Sequence, residues 1–219
     1  GFTAAKWRIG AECGQDAETL IRHADQALYR AKQSGRDAYR HFSEAMEAAV
    51  QQRLSREQAL RRALVRNEFE LFYQPKLDLA SGRVCGAEAL LRWRHPTDGL
   101  VAPDEFLPLL EESGMVCRVG EWVVAEACRQ LVIWREAGLE DCRMAINLSA
   151  REFVQADLVE RLERQLSSAG ISPDRFELEI TESCLMEHTD ESLARLHALA
   201  RLGFHLAIDD FGTGYSSLA

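Results

Sequence analysis

The chain has 219 residues, 47% of them hydrophobic and 28% charged, with a formal net charge of −9. It is long enough to bury a core, and its acidic balance excludes a partner held by neutralising many phosphates, such as duplex nucleic acid. No apolar run reaches the ~20 residues of a membrane-spanning helix, so this stretch carries no membrane segment.

Gly1-Phe2-Thr3-Ala4 is neither an initiator start nor a signal peptide, and the N-terminus reads as a cut made inside a domain. Residues 18–33 carry Leu20, Ile21, Ala24, Ala27, Leu28 and Ala31 at helical spacing, with Gly35 as the stop. From Phe42 to Val65 the chain is rich in Ala, Glu, Gln, Arg and Leu without Gly or Pro, which predicts one long linker helix. From Glu68, Phe69, Leu71 and Tyr73 alternate with polar residues, Pro75 interrupts, and Ser81-Gly82 turns the chain into Val84–Trp93, a first hairpin. Apolar strands over 144–148, 176–181 and 205–208 then alternate with helical stretches over 120–137, 151–169 and 190–202, the signature of βα units on a largely parallel sheet. Ser149 is placed to cap the helix after it, and Gly138, Gly170 and Gly203 to end helices. The six cysteines form no C-x-x-C pair and have no His at zinc-finger spacing, so reduced thiols and a cytoplasmic location are expected. Membrane tethering of a longer parent through an upstream region stays open.

Carboxylates and an amide stand where the apolar strands run out: Glu88, Asn147, Glu179 with Glu182, and Asp209-Asp210. Singly, each is a solvated loop residue or a cap. In a parallel βα array, however, all carboxyl ends face one rim, and clustered carboxylates require either a shared proton or a bound cation. Asn147, a neutral oxygen donor, favours metal, and an all-oxygen set suits Mg²⁺ or Mn²⁺. Asp209-Asp210 can serve two neighbouring ions, which suggests phosphoryl chemistry; the alternative is that Asp210 opens a turn with Gly212 and Gly214. Residues 212–217 can cradle phosphate or form a lid, but they are neither a Walker loop nor a dinucleotide fingerprint. Arg92 can fork onto a phosphate or pack at the surface, and His95, His188 and His205 are read as structural.

Together, Phe72-Tyr73-Gln74-Pro75-Lys76, Glu88-Ala89-Leu90-Leu91-Arg92-Trp93, Pro103-Asp104-Glu105-Phe106-Leu107-Pro108, Asn147-Leu148-Ser149, Glu179-Ile180-Thr181-Glu182 and the run from Asp209 to Leu218 closely resemble the EAL family of cyclic di-GMP phosphodiesterases. The resemblance implies an α/β fold, a modified TIM-type (βα) barrel, here truncated after about its fifth strand. It implies hydrolysis of cyclic di-GMP to linear pGpG with two Mg²⁺ or Mn²⁺ ions, Ca²⁺ being inhibitory. By motif, Glu88, Asn147, Glu179 and Asp209 are first-metal ligands, Asp210 serves the second metal, and Glu182 holds the lid loop. Glu88, Glu182 and Asp210 are the catalytic set, and Gln74, Leu90 and Arg92 touch substrate.

The run from Ala24 to Arg36 is similar to the closing helix of GGDEF diguanylate cyclase domains, whose signature loop is absent. The expected organisation is therefore a GGDEF remnant over 1–42, a linker helix over 43–66 and the N-terminal portion of an EAL domain over 67–219. The family's catalytic lysine and later metal-binding residues would follow Ala219, so this piece is expected to be poorly active and its parent active. The resemblance also allows a homodimer. The rival reading is a non-catalytic cyclic di-GMP receptor, ranked second because the visible metal motifs are undamaged; a different metal-dependent barrel, such as an enolising enzyme, ranks third.

Overall fold

Helix α1 (Glu44–Ala63) forms where the sequence holds good helix formers and neither Gly nor Pro. This computed structural model describes residues 44–182, 184 and 189–209, and the chain divides into units Gly1–Gln58 and Ala59–Ala219. The helix expected over 18–33 and the rest of the GGDEF-like remnant lie outside the described residues. In the second unit, Leu60 and Ala63 of the last turn of α1 are buried, and Asn67 (φ 55°) reverses the chain into the sheet.

Strands β1 (Phe69–Leu77) and β2 (Val84–His95) form the expected hairpin. Its turn is held by the Asp78 carboxylate, which accepts from the Ser81 amide (2.8 Å) and hydroxyl (2.6 Å). The expected interruption at Pro75 does not occur: β1 runs through it, with Pro75 opposite Ala87. β1 ends the strand order, where a strand can spare the N–H that proline lacks. A three-residue strand, β3 (Gly99–Val101), pairs with β2 and has too short a pattern to be read from sequence.

Helix α2 (Pro103–Ser113) has proline in its first turn and stops at Gly114 in the left-handed region (φ 73°). Helix α3 (Val116–Glu136) begins four residues before the expected start and runs through Gly120. After β4 (Arg143–Leu148), the helix expected over 151–169 is two helices, α4 (Ala150–Phe153) and α5 (Leu158–Ala169). Phase explains the break. Phe153 is fully buried, as are Leu158, Leu162 and Leu166; a continuous helix would turn residue 158 well away from residue 153, so only an interruption lets both reach the core. A 3₁₀ turn (Pro173–Arg175), β5 (Phe176–Thr181), α6 (Thr189–Leu202) and β6 (His205–Asp209) follow.

The six strands form one sheet in the order β1-β2-β4-β5-β6, with β3 beside β2; β2, β4, β5 and β6 are mutually parallel. Strict alternation divides its faces. Met144, Ile146, Leu148, Phe176, Leu178 and Ile180 pack on one side in a core that also holds Val124, Cys128 and Leu131 of α3, Leu162 of α5 and Leu199 of α6. Each such side chain contributes roughly 1.5–3 kcal/mol by burial. A second cluster joins Phe69, Trp93, Phe106 and Leu110 to Leu60 and Ala63, and the buried Trp93 indole donates to Glu68 Oε2 (3.2 Å).

Candidate functional site

The other face of the sheet carries the polar residues, and its register follows from pairing. Gln74 opposes Glu88, and Glu88 is level with Ala145, so Asn147, two residues further on, shares the face of Glu88. Asn147 is level with Glu179, and Glu179 with Ala207, which puts Asp209 on the same side, beside Thr181. Leu90 and Arg92 follow Glu88 at two-residue steps and complete the row. Seven residues singled out by sequence thus share one face of the sheet near the carboxyl ends of its parallel strands: Gln74, Glu88, Leu90, Arg92, Asn147, Glu179 and Asp209. Glu182 lies in the helical segment directly after β5, half-buried. Asp210, His188 and the 212–217 loop lie outside the described residues.

Asn147 Nδ2 donates to Glu88 Oε1 at 2.9 Å, tying the ends of β2 and β4 together. The Arg92 guanidinium sits 5.5 Å over the Phe72 ring and donates to the Leu91 carbonyl at 2.8 Å, so it is a packed side chain on the site face. His95, the last residue of β2, braces the turn that follows: its ring stacks edge-on to Trp93 and accepts from the Asp98 amide at 3.3 Å.

Sequence reasoning gave no role to Lys76. Its ammonium donates to Glu177 Oε1 (2.7 Å) and Glu179 Oε1 (2.6 Å). Burial pulls the Lys76 ammonium's pKa down, but the bonds to both carboxylates outweigh it and the net shift is upward. Burial likewise pushes the Glu179 carboxyl up; Lys76 opposes this, while Glu88 and Glu177 add to it. The signal was available in part, since Glu177 and Glu179 alternate with apolar residues in Phe176–Thr181 and Lys76 follows Gln74 at a same-face step.

A second group sits beneath the end of β4. Ser149 caps α4 through a full capping box: its hydroxyl donates to Glu152 Oε2 (2.5 Å) and accepts from the Glu152 amide (3.3 Å), and the Ser149 amide donates to Glu152 Oε2 (3.2 Å). Glu152 is only 6% exposed. Burial raises its pKa, against the lowering effects of the Ser149 bonds and Arg161. The Ser-x-x-Glu spacing announces this box, which the reading of Ser149 alone missed.

Among the described residues, no three His, Cys, Asp or Glu side chains close into a cation cage. The aligned donors of Glu88, Asn147, Glu179 and Asp209 are nonetheless all hard oxygens, the set that Mg²⁺ or Mn²⁺ takes and zinc or copper does not select. The residues present therefore fit a hard divalent cation in kind.

The described residues thus form an α/β protein whose largely parallel sheet gathers acidic oxygens at its strand ends. The EAL domain model matches residues 57–219, and the chain belongs to that family. The bifunctional diguanylate cyclase/cyclic di-GMP phosphodiesterase MucR of Pseudomonas aeruginosa is 45% identical over 205 residues, 94% of this chain and 30% of that protein. The cyclic di-GMP phosphodiesterase PdeR of Escherichia coli is 37% identical over 211 residues, 96% of this chain and 32% of its own length. The chain thus spans about a third of the length of each. Among solved structures, the MucR phosphodiesterase in complex with c-di-GMP superposes with a TM-score of 0.71 at 45% identity, covering 74% of this chain and 66% of that one. The FimX EAL domain of Xanthomonas citri in complex with c-diGMP gives 0.67 at 27% identity, covering 77% and 65%.

Proposed function

We propose that this chain is part of a cyclic di-GMP phosphodiesterase that opens one phosphodiester bond to release linear pGpG, with two Mg²⁺ or Mn²⁺ ions as cofactors. The observation that carries the reading is the register of Glu88, Asn147, Glu179 and Asp209 on one face of four adjacent parallel strands, in a chain of the EAL family. In this reading those four residues would hold the first metal, Asp210 the second, and Glu182 the loop after β6; Glu88, Glu182 and Asp210 would be the residues catalysis cannot lose. The metal supplies charge stabilisation and an activated water when bound. Gln74, Leu90 and Arg92 would meet the substrate, with Arg92 aimed at phosphate from its place on Phe72.

The sheet would belong to a modified TIM-type barrel. Residues 1–42 would be the end of a GGDEF domain and 43–66 a linker helix, ahead of the EAL portion over 67–219. The free thiols of Cys85, Cys117, Cys128, Cys142 and Cys184 support a cytoplasmic location, and the homodimer allowed by sequence belongs to the same reading.

This chain alone being expected to turn over poorly, the test is to incubate the whole protein that contains it with cyclic di-GMP and Mg²⁺, Mn²⁺ or Ca²⁺ and to resolve the products by chromatography. Release of pGpG with Mg²⁺ or Mn²⁺ and its suppression by Ca²⁺ are expected. Binding of cyclic di-GMP without turnover in any metal would overturn the hydrolytic reading in favour of a receptor.

A further inference from the structure

We propose that Lys76 is a positioning residue that holds the place of a divalent cation at Glu179, with Glu177 as the carboxylate that retains the ammonium when metal takes Glu179. The inference rests on the metal reading above and extends it to two residues with no assigned role.

Three observations carry it. First, Lys76 and its partners are not on neighbouring strands: β2 and β4 lie between β1 and β5, yet the ammonium bonds both Glu177 (2.7 Å) and Glu179 (2.6 Å). The crossing is open because the intervening residues are small. Gly86 stands opposite Lys76, and Ala145 lies on the same face of β4. Gly86 is also required for its own sake, since an added Cβ would meet the Arg143 carbonyl oxygen at 2.5 Å.

Second, the two carboxylates are not equivalent. Glu179 is level with Asn147, which is bonded to Glu88, whereas Glu177 is level with Ala145, one step back from the rim. An ammonium between them lies at the boundary between the aligned oxygen donors and the floor beneath. Third, Glu88, Glu177 and Glu179 are like charges on one face, and such a group needs a counter-charge before a metal arrives. Lys76 supplies it from within the chain. A hard cation competes with the ammonium for Glu179, and Glu177 keeps the displaced, half-buried ammonium paired.

The experiment titrates Mn²⁺ alone into the full chain by calorimetry, with no substrate, for the native protein, Lys76→Met, Glu177→Gln and the double variant. Removing the competing ammonium should tighten Mn²⁺ binding about tenfold, the size expected for one charge-assisted hydrogen bond. Glu177→Gln should weaken binding while Lys76 is present, because the ammonium then has Glu179 as its only carboxylate. In the Lys76→Met background the same change should have little effect, and this non-additivity separates local competition from a general change in net charge. Additive effects, or unchanged or weaker binding by Lys76→Met, overturn the proposal and leave the metal reading standing. If the native protein binds no Mn²⁺, both fall. Should Lys76→Met fail to fold, the sign for Glu177→Gln decides: unchanged or tighter binding overturns the proposal.

Discussion

Gly120 lies inside α3, where glycine is intrinsically about 1 kcal/mol worse than alanine, so Gly120→Ala would ordinarily stabilise. Here it should not. A Cβ at position 120 would collide with Glu152 Oε1 and stand 2.6 Å from Glu152 Cδ, and Glu152 is the buried half of the capping box that starts α4. Displacing that carboxyl forfeits cap bonds at about 0.5–2 kcal/mol and overpacks the site at about 1–3 kcal/mol. After the propensity gain of about 1 kcal/mol, the net loss is about 0.5–4 kcal/mol, or roughly 1–16 °C in Tm for a chain of this size. The decisive assay is a double-mutant cycle in urea. In a Glu152→Ala background the obstacle is gone, and Gly120→Ala should become neutral or stabilising by up to ~1 kcal/mol, since the new methyl enters vacated space. If Gly120→Ala has the same effect in both backgrounds, the contact with Glu152 is not why glycine is needed there.

Glu152 also predicts a pH dependence. Burial holds its folded pKa above the ordinary 4.5, so the stability it contributes is full below that value and is lost as pH rises through the folded pKa. Glu152→Gln keeps a residue that can complete the box but does not ionise, so its urea midpoint should gain on the native protein between acid and neutral pH; a constant difference refutes this. Among the cysteines, Cys85 is exposed while burial pushes Cys128 up to about 11, so iodoacetamide at about pH 8 should label Cys85 and spare Cys128 until the chain is unfolded, as read by peptide mass spectrometry. In the whole protein that contains this chain, Glu179→Gln should reduce pGpG release by about 100-fold or more with Tm little changed. Arg92→Lys should raise KM more than it lowers kcat, because an ammonium cannot fork onto phosphate; a pure kcat loss would place Arg92 in the chemical step.

The parts of the fold legible in the sequence are those set by local periodicity. Phe176–Thr181 alternates without exception, and the three residues it buries are Phe176, Leu178 and Ile180. That same alternation carried Glu179 onto the polar face, which is why the strand-end acids could be read before their register was seen. Misreadings came where a distant residue decides a local matter. Pro75 looks like a strand breaker until β1 is known to end the strand order. Gly120 looks like a helix start until Glu152 is found against it. The break after Phe153 is invisible to propensity, because residues 151–169 are acceptable helix formers throughout and only the packing phase of Phe153 against Leu158 forbids continuity. For Lys76 the sequence showed only the face it shares with Gln74, not its partners, which lie 101 and 103 residues away on a strand that is not its neighbour.

The separation of the two sheet faces explains how a site crowded with acids coexists with a stable core. Ile146 and Asn147 are consecutive, yet Ile146 packs among Leu178, Leu131 and Phe176 while Asn147 holds Glu88 on the opposite side. The energy that fixes β4 comes from the apolar side, where truncating a buried aliphatic residue costs about 2–5 kcal/mol. The polar side can then hold mutually repelling carboxylates, because the strands beneath them are secured independently. The capping box at Ser149 completes the arrangement by turning the chain into α4 two residues after Asn147, so the rim residue is clamped from below by packing and from ahead by a buried hydrogen-bonded corner. Candidate site and core therefore divide by the parity of sequence position along these strands, and a one-residue slip in register would exchange the two sets.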